Sequence, residues 1–348
     1  MKKTLLTSLL AAVLCIPAMA HGAEKSYELA FTSEGYRENH VVYQSVWKPW
    51  MDLVAQKSNG RLNIVFYSPG SICSPKDVPD AIIKRRAEIG HSLFGANPGM
   101  YGYSDIGDAN VSGVSSLAAS MGFSHYVNSN DWVKSELDNK KTKLLSVWAT
   151  GPMMVCSNSP ITKVSDFKNR KINYHISGVD KIITTLGAVP VMVSPPDIYM
   201  SVQRGQTNTT FMALSILKPF KLYEVFSDIL NYPMAPGYHY MFMNREAWDE
   251  LPADLQKILE ETTGEIMSAQ VGKAIDAGID DSIDWALANK KVTLHEFSSE
   301  EKAKMQEVLS PFREQWITNR EKKGFSHARE ALSLFTKAMT ESNEKYGK

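Results

Sequence analysis

Asn173 and His175 stand two residues apart in the stretch DFKNRKINYHISG (residues 166–178), so on a strand both face the same side. An amide and an imidazole offered together at a strand end are hydrogen-bonding groups suited to a guest molecule. Elsewhere the residues that carry chemistry are dispersed. The eight histidines are scattered, with no HExxH pair and no Cys/His cluster at zinc spacing, so no metal site is expected. A GxSxG elbow, a Walker A loop and a GxGxxG turn after a strand are missing as well. The glycine-rich stretch GANPGMYGYSDIG (residues 95–107) lacks the Lys-Ser/Thr that holds phosphate and reads as a loop. The acidic pairs Asp280-Asp281 and Glu300-Glu301 read as solvated helix faces. No nucleophile stands with a base, so neither catalysis nor a cofactor is expected.

Alternating strands and helices must position these groups. SYELAFTS (26–33), GRLNIVFYSPGS (60–71) and EIGHSLF (88–94) read as strands. Helices through VVYQSVWKPWMDLVAQKS (41–58) and DVPDAIIKRRA (77–87) separate them. This βαβαβ opening argues for an α/β fold whose first sheet is mostly parallel, with helices on its faces. After KLLSVWATG (143–151), the strands MMVCSNSP (153–160), RKINYHIS (170–177) and AVPVMVS (188–194) follow. They are separated by helical VDKIITTLGA (179–188) and PDIYMSVQRG (196–205), which makes a second α/β unit entered by a crossover. HYMFMN (239–244) is a later strand that could return to the first sheet.

From about residue 253 to 290 there is no proline, and Leu255, Ile258, Leu259, Ile266, Val271, Ile275, Ile279, Ile283 and Leu287 recur at helical spacing. A single helix of that span would be roughly 55 Å long and would cross both units. Two helices broken near Gly272 or Gly278 are the alternative. VTLHEF (292–297) is one more strand. Ser298 and Glu301 predict a capping box for a helical tail, with Pro311 opening a second segment.

The 348 residues suffice for two domains: domain I over 24–150 plus about 237–270, and domain II over 151–236 plus about 278–348. Basic and acidic residues balance at 38 each, which points away from nucleic acid and anionic membranes as partners. Residues 1–20 carry Lys2 and Lys3, an apolar run over 5–16 and then Ala18-Met19-Ala20, the pattern of a cleaved export signal. The cut is expected after Ala20, with Gly22 and Ala23 as later choices, and the run is too short to span a bilayer. Cys73 and Cys156 remain in the mature chain, either paired in an oxidising compartment or as separate thiols. Two α/β lobes joined by crossovers behind an export signal suggest a ligand trap, its guest held at the carboxyl ends of the strands between the lobes.

The order of segments resembles one family. KSNGRLNIVFYSPGSI, NSPITKVSDFKNRKI, LGAVPVMVSPPDIYMSVQRGQTN and FMNREAWDELPADLQKIL follow the motifs of the DctP-like solute-binding proteins of tripartite ATP-independent periplasmic (TRAP) transporters, in order and over nearly the whole mature chain. The resemblance implies a monomeric, two-lobed periplasmic-binding-protein fold with a long domain-spanning helix. Such a protein resides in the periplasm, closes on a small-molecule solute and delivers it to a permease with a small and a large membrane subunit. Hinge closure is then the working motion.

The resemblance also locates the pocket, and there this sequence departs from it. The arginine of the family's K-i-R motif, which clamps carboxylates, falls at Asn173. A second arginine common after the crossover falls at Met153, and the aspartate of v-D-G falls at Asn208. Phe211 and Met212 stand where polar contacts are usual. The expected ligand is therefore neutral, cationic or largely apolar and aromatic. Trp148, Phe94, Met153, Phe211 and Met212 would hold its body, Asn173 its polar end, and Glu34 beside Tyr36 would pair an amine. The alternative is an organic acid, carboxylate or sulfonate, clamped by Arg37. His175 replaces a usual proline, and His239 flanks the same cleft, either donating to the ligand or making a hinge hydrogen bond. An exported enzyme and a sensor subunit docking on a membrane receptor are the competing classes.

Overall fold

The protein is described by a computed structural model covering residues 25–97, 99–106, 109, 114–175, 178–234 and 236–347. The expected export signal lies outside the described residues. The first lobe is built on strands β1 (Tyr27–Ser33), β2 (Leu62–Tyr67), β3 (Ile89–Leu93) and β4 (Thr142–Ala149). The second lobe holds β5 (Met153–Ser157), β6 (Lys171–Tyr174), β7 (Val189–Met192), β8 (Thr209–Ala213), β9 (Asp228–Met234) and, near the end of the chain, β11 (Thr293–His295). Strand β10 (Tyr238–Asn244) returns to the first sheet, whose order is β2-β1-β3-β10-β4; the second sheet runs β11-β9-β5-β8-β6-β7. β1 is parallel to β2 and β3, as expected, whereas β10 lies antiparallel between β3 and β4. β3 and β10 are buried along their whole length because neighbours cover both faces, so their apolar runs lack alternation. Strands β8 and β9 went unread in the sequence: TTFMA is buried almost throughout and so lacks alternation, and Pro233 interrupts DILNYPM.

The helices are α1 (Lys48–Lys57), α2 (Val78–Ile83), α3 (Ser116–Asn128), α4 (Asp131–Leu137), α5 (Val179–Thr185), α6 (Ile198–Gln203) and α7 (Arg245–Asp249). They are followed by α8 (Ala253–Thr262), α9 (Gly264–Ala288), α10 (Ser299–Lys322) and α11 (Ala328–Tyr346). The long rod of the sequence reading is therefore α8 and α9, bent at Thr263 and Gly264, where Gly264 takes φ +60°. Gly272 and Gly278 lie inside α9 and do not break it. Gly272 serves close approach instead: a Cβ there would sit 2.6 Å from the Leu117 Cα of α3. One turn on, the Asp276 carboxylate accepts the N–H groups of Ser116 (2.8 Å) and Leu117 (3.0 Å), satisfying two orphan donors at the start of α3. α9 also packs on the turn Leu214–Ile216 after β8, so it touches both lobes.

The chain crosses between lobes after β4 and again before β10, and the crossings are tied together. Thr150 N–H donates to the Gly237 carbonyl at 2.9 Å, and Gly237 N–H donates to Thr150 Oγ1 at 3.0 Å. The C-terminal helices correct two expectations. Pro311 sits inside an unbroken α10 rather than opening a second segment. Only half of the capping box forms: Ser298 Oγ accepts Glu301 N–H at 3.2 Å, but the buried Glu301 carboxylate accepts Val164 N–H (2.6 Å) and pairs with Lys304 (2.8 Å). Glu301 is thus a tie to the second lobe, not a solvated face. α10 is anchored to the first lobe by a buried ion pair, Arg320 to Asp105, at 3.1 Å. Cys73 and Cys156 are unpaired and buried in different cores, the second of the two sequence alternatives.

Candidate functional site

The carboxyl ends of β1, β3 and β4 meet the start of β10 where the first lobe faces the second. Ser33 ends β1, and its hydroxyl oxygen accepts the backbone N–H groups of Tyr36 (3.0 Å) and Gly35 (3.4 Å), turning the chain so that Glu34 and Tyr36 point inward. The same oxygen lies 2.8 Å from His91 Nδ1, and His91 Nε2 lies 2.9 Å from His239 Nδ1. A stack of rings accompanies this chain. His91 stacks on Trp148 (centroids 5.1 Å apart) and on His239 (5.0 Å), Trp148 lies parallel to His239 at 6.1 Å, and Tyr36 stacks on His40 at 3.8 Å. Burial keeps the imidazoles neutral: it pulls His239 and His40 down to about 3, and His91 well below its ordinary value.

Glu34 lies on the other side of β3. Ser92 Oγ donates to its Oε2 at 2.5 Å, yet burial pushes the carboxyl up to about 7, against the opposing pull of Ser92 and the Leu93 N–H. The residue as a whole is only half-buried; it is the carboxyl group that protein atoms enclose. Burial also raises the Tyr36 phenol. Its hydroxyl lies toward the Trp148 indole, but neither Tyr36 Oη nor Trp148 Nε1 completes a hydrogen bond with a described residue.

The second lobe contributes Asn173 and His175. Asn173 is fully buried on β6, between Val191 of β7 and Thr210 of β8. Thr210 Oγ1 donates to its amide oxygen, while the amide NH2 has no partner among the described residues. His175, just past the strand, holds an Nδ1 without a partner among the described residues, and burial of the ring brings its pKa down to about 4. It lies near enough to His239 to disfavour that ring's charged form from across the lobe boundary. Leu93 of β3 packs among Met153, Val155 and Phe211 of the second lobe, closing the strand ends against each other.

Glu34, Tyr36, Trp148 and His239 thus gather at the strand ends of the first lobe, His175 of the second lobe acts on His239, and Asn173 stands two residues before His175, with Met153 and Phe211 at the apolar boundary. The other candidates are placed elsewhere. Phe94 turns into the first-lobe core against Tyr240 (4.8 Å) and Phe123 (5.6 Å). Met212, on the face of β8 opposite Phe211, packs with Cys156 and Leu214. Asn208 lies at the far end of β6, where its Oδ1 accepts Lys171 N–H at 3.2 Å. Arg37 is exposed, and the charges that act on Glu34 and the four histidines come from neither it nor any other Arg or Lys.

Ser33, His40, His91 and Ser92 were missed in the sequence. The signal was present: a buried strand such as EIGHSLF that carries His and Ser must find partners for them. Ser33 and His91 form the neighbouring pair that nucleophilic catalysis uses, but Ser33 is buried and two backbone N–H groups already occupy its oxygen. Two surface grooves lie away from this site, about 740 Å³ beside α11 and about 380 Å³ beside Lys181 and Arg320. Among the described residues no group of three or more His, Cys, Asp or Glu is placed to hold a metal ion, and no helix is long and apolar enough to cross a membrane.

Comparison with known proteins fits this geometry. A C4-dicarboxylate-binding periplasmic protein DctP from Rhodobacter capsulatus is 29% identical over 183 residues, 51% of this chain and 53% of the relative, so the match spans about half of each. Among solved structures, a TRAP solute-binding protein from Rhodoferax ferrireducens with copurified benzoate superposes with TM-score 0.83 at 20% identity, over 92% of this chain and 99% of that one. One from Bordetella bronchiseptica with bound (R)- and (S)-mandelate gives 0.81 at 20% identity, over 90% and 99%. A marine metagenome protein specific for aromatic acid ligands, in complex with metahydroxyphenylacetate, gives 0.82 at 19% identity, over 91% and 99%. The profile of DctP, bacterial extracellular solute-binding protein family 7, matches residues 32–319, and the chain belongs to that family of TRAP solute-binding proteins.

Proposed function

We propose that this protein is the periplasmic receptor of a TRAP transporter. After loss of its N-terminal signal it captures a small organic solute between its lobes and, as a monomer, hands it to the small and large permease subunits without catalysis. The observation that carries the ligand reading is a set of neutral donors, Trp148 Nε1, Asn173 Nδ2 and the Tyr36 hydroxyl, that complete no hydrogen bond among the described residues and stand with stacked rings and, among those residues, no guanidinium acting on the site. Buried donors left unpaired are costly, so a guest that accepts from them gains what the free protein forgoes. The matching solute is aromatic or otherwise apolar and ends in a carbonyl or carboxyl acceptor. Benzoate, mandelate and metahydroxyphenylacetate, the ligands of the similar structures, have that form, which supports the reading. Glu34, uncharged up to about pH 7, serves as a hydrogen-bonding group rather than as the partner of an ammonium.

Thermal-shift measurements on the purified mature protein test this with benzoate, benzamide, benzylamine and succinate. Benzoate or benzamide is expected to raise the melting temperature, and benzylamine and succinate are not. Stabilisation by succinate or benzylamine alone, or a benzoate effect lost in Arg37→Ala, overturns the ligand reading. Conversion of a bound compound by the isolated protein overturns the receptor role.

A further inference from the structure

The buried chain Ser33–His91–His239 has a direction. We infer that it fixes His239 as a hydrogen-bond donor, through Nε2–H, to the solute in the cleft; Ser33 and His91 act as positioning residues that set which nitrogen carries the proton. The inference rests on the reading of this cleft as the solute site.

The direction follows from counting donors. Ser33 Oγ already accepts two backbone N–H groups, from Tyr36 at 3.0 Å and Gly35 at 3.4 Å. Its lone pairs are then occupied, and its own proton has one place to go, His91 Nδ1 at 2.8 Å. A neutral His91 that accepts at Nδ1 carries its hydrogen on Nε2 and must donate it to His239 Nδ1, 2.9 Å away. A neutral His239 that accepts at Nδ1 in turn carries its hydrogen on Nε2, on the side of the ring turned away from His91. The reverse direction would have three N–H groups converging on the Ser33 oxygen and would leave the Ser33 hydroxyl without an acceptor. Both rings are buried and held neutral, so a second proton is not there to blur the assignment. His40 adopts the same tautomer independently, because its Nδ1 accepts Val42 N–H at 3.2 Å.

The consequence is a recognition rule. His239 Nε2–H joins Trp148 Nε1–H and the Asn173 amide NH2 as neutral N–H donors contributed by both lobes. A carbonyl or carboxyl oxygen completes such a set, whereas an amine opposes N–H with N–H. The discrimination is built into Ser33 of β1 and His91 of β3, two and one residues behind the donor that meets the solute.

The test is a tautomer measurement by 15N NMR on full-length mature protein with labelled histidine, near neutral pH and without solute. The expected result is Nε2–H for both His91 and His239. Ser33→Ala, which removes the hydroxyl that starts the chain, is expected to raise the Nδ1–H population of both rings and to weaken benzoate binding about tenfold, while Ser33→Thr restores the parent pattern. A parent His239 in the Nδ1–H form overturns the inference, as does a tautomer balance unmoved by Ser33→Ala. So does a His239 Nε2–H signal that stays in place while benzoate raises the melting temperature. The parent measurement needs no variant, so it decides even if Ser33→Ala fails to fold. It also needs no solute, so its failure is separate from a failure of the thermal-shift panel.

Discussion

The Thr210 hydroxyl donates to the Asn173 amide oxygen inside the second sheet, which orients the Asn173 NH2 and leaves it without a partner among the described residues. Asn173→Arg turns that donor into a buried guanidinium. An uncompensated buried charge costs about 3–5 kcal/mol, so the variant should melt well below the parent when no solute is present. Benzoate supplies the missing anion and should raise its melting temperature more than it raises that of the parent. Thermal-shift curves of both proteins with and without benzoate check this. Equal shifts would place the polar end of the solute away from Asn173.

Glu34 gives the fold a pH dependence of known sign. Its carboxyl is pushed up to about 7 in the folded protein from an ordinary 4.5, so between those values the native state keeps a proton that the unfolded chain releases. Stability attributable to Glu34 is therefore fully present below about pH 4.5 and lost as pH rises through 7, by about 3 kcal/mol in all. Glu34→Gln removes the loss. Urea denaturation from about pH 5 to pH 8 should show the variant gaining on the parent as pH rises. Parallel profiles would mean that the carboxyl is solvated.

The buried histidines act in the opposite direction. His40 and His239 are pulled to about 3, His175 to about 4, and His91 well below 6.5, so acid protonates them in the unfolded chain first. Their contribution is complete above pH 6.5 and is lost as pH falls toward 4 and 3. Four such sites outweigh one carboxyl throughout, so stability should rise steeply through about pH 5 to 6.5 and level off above about pH 7. His175→Gln, which keeps the polarity without the titration, should make acid unfolding shallower and move its midpoint to lower pH. An unchanged midpoint in circular dichroism would rule out burial of that ring.

Periodicity and turn signals made β1 to β3, the crossover and the long helical span legible because each is local. The bend at Gly264 was not, since a single glycine at φ +60° looks in sequence like the helical Gly272 and Gly278. What separates them is the neighbour each one meets. At the site, Asn173 and His175 were legible from their spacing and from the family motif. His91 and Ser33 were not, because the bonds Ser33–His91 and His91–His239 join residues 58 and 148 apart in the chain. Met212 and Phe94 read as pocket lining and proved to be core: alternation alone does not tell which face of β8 meets the other lobe, nor which way the turn after β3 carries Phe94.

Gly272 and Gly278 lie on one helix and should respond to alanine with opposite signs. Inside a helix, Gly→Ala normally stabilises by about 1 kcal/mol through the restricted unfolded chain and better propensity. At Gly278 the nearest atom to a new Cβ is the Val41 Cγ1 methyl, 3.3 Å away on a side chain that can give, so Gly278→Ala should be neutral or mildly stabilising. At Gly272 the new methyl would stand 2.6 Å from the Leu117 Cα and 3.0 Å from its nitrogen, and backbone cannot rotate aside. α9 would have to move off α3, loosening the two hydrogen bonds that Asp276 receives from Ser116 and Leu117. Overpacking of this kind costs about 1–3 kcal/mol, and the loosened bonds add to it, so a net loss of about 2 kcal/mol remains after the propensity gain. Urea unfolding of the two variants side by side checks the contrast. A stabilised Gly272→Ala would mean that α3 and α9 are not in backbone contact in solution.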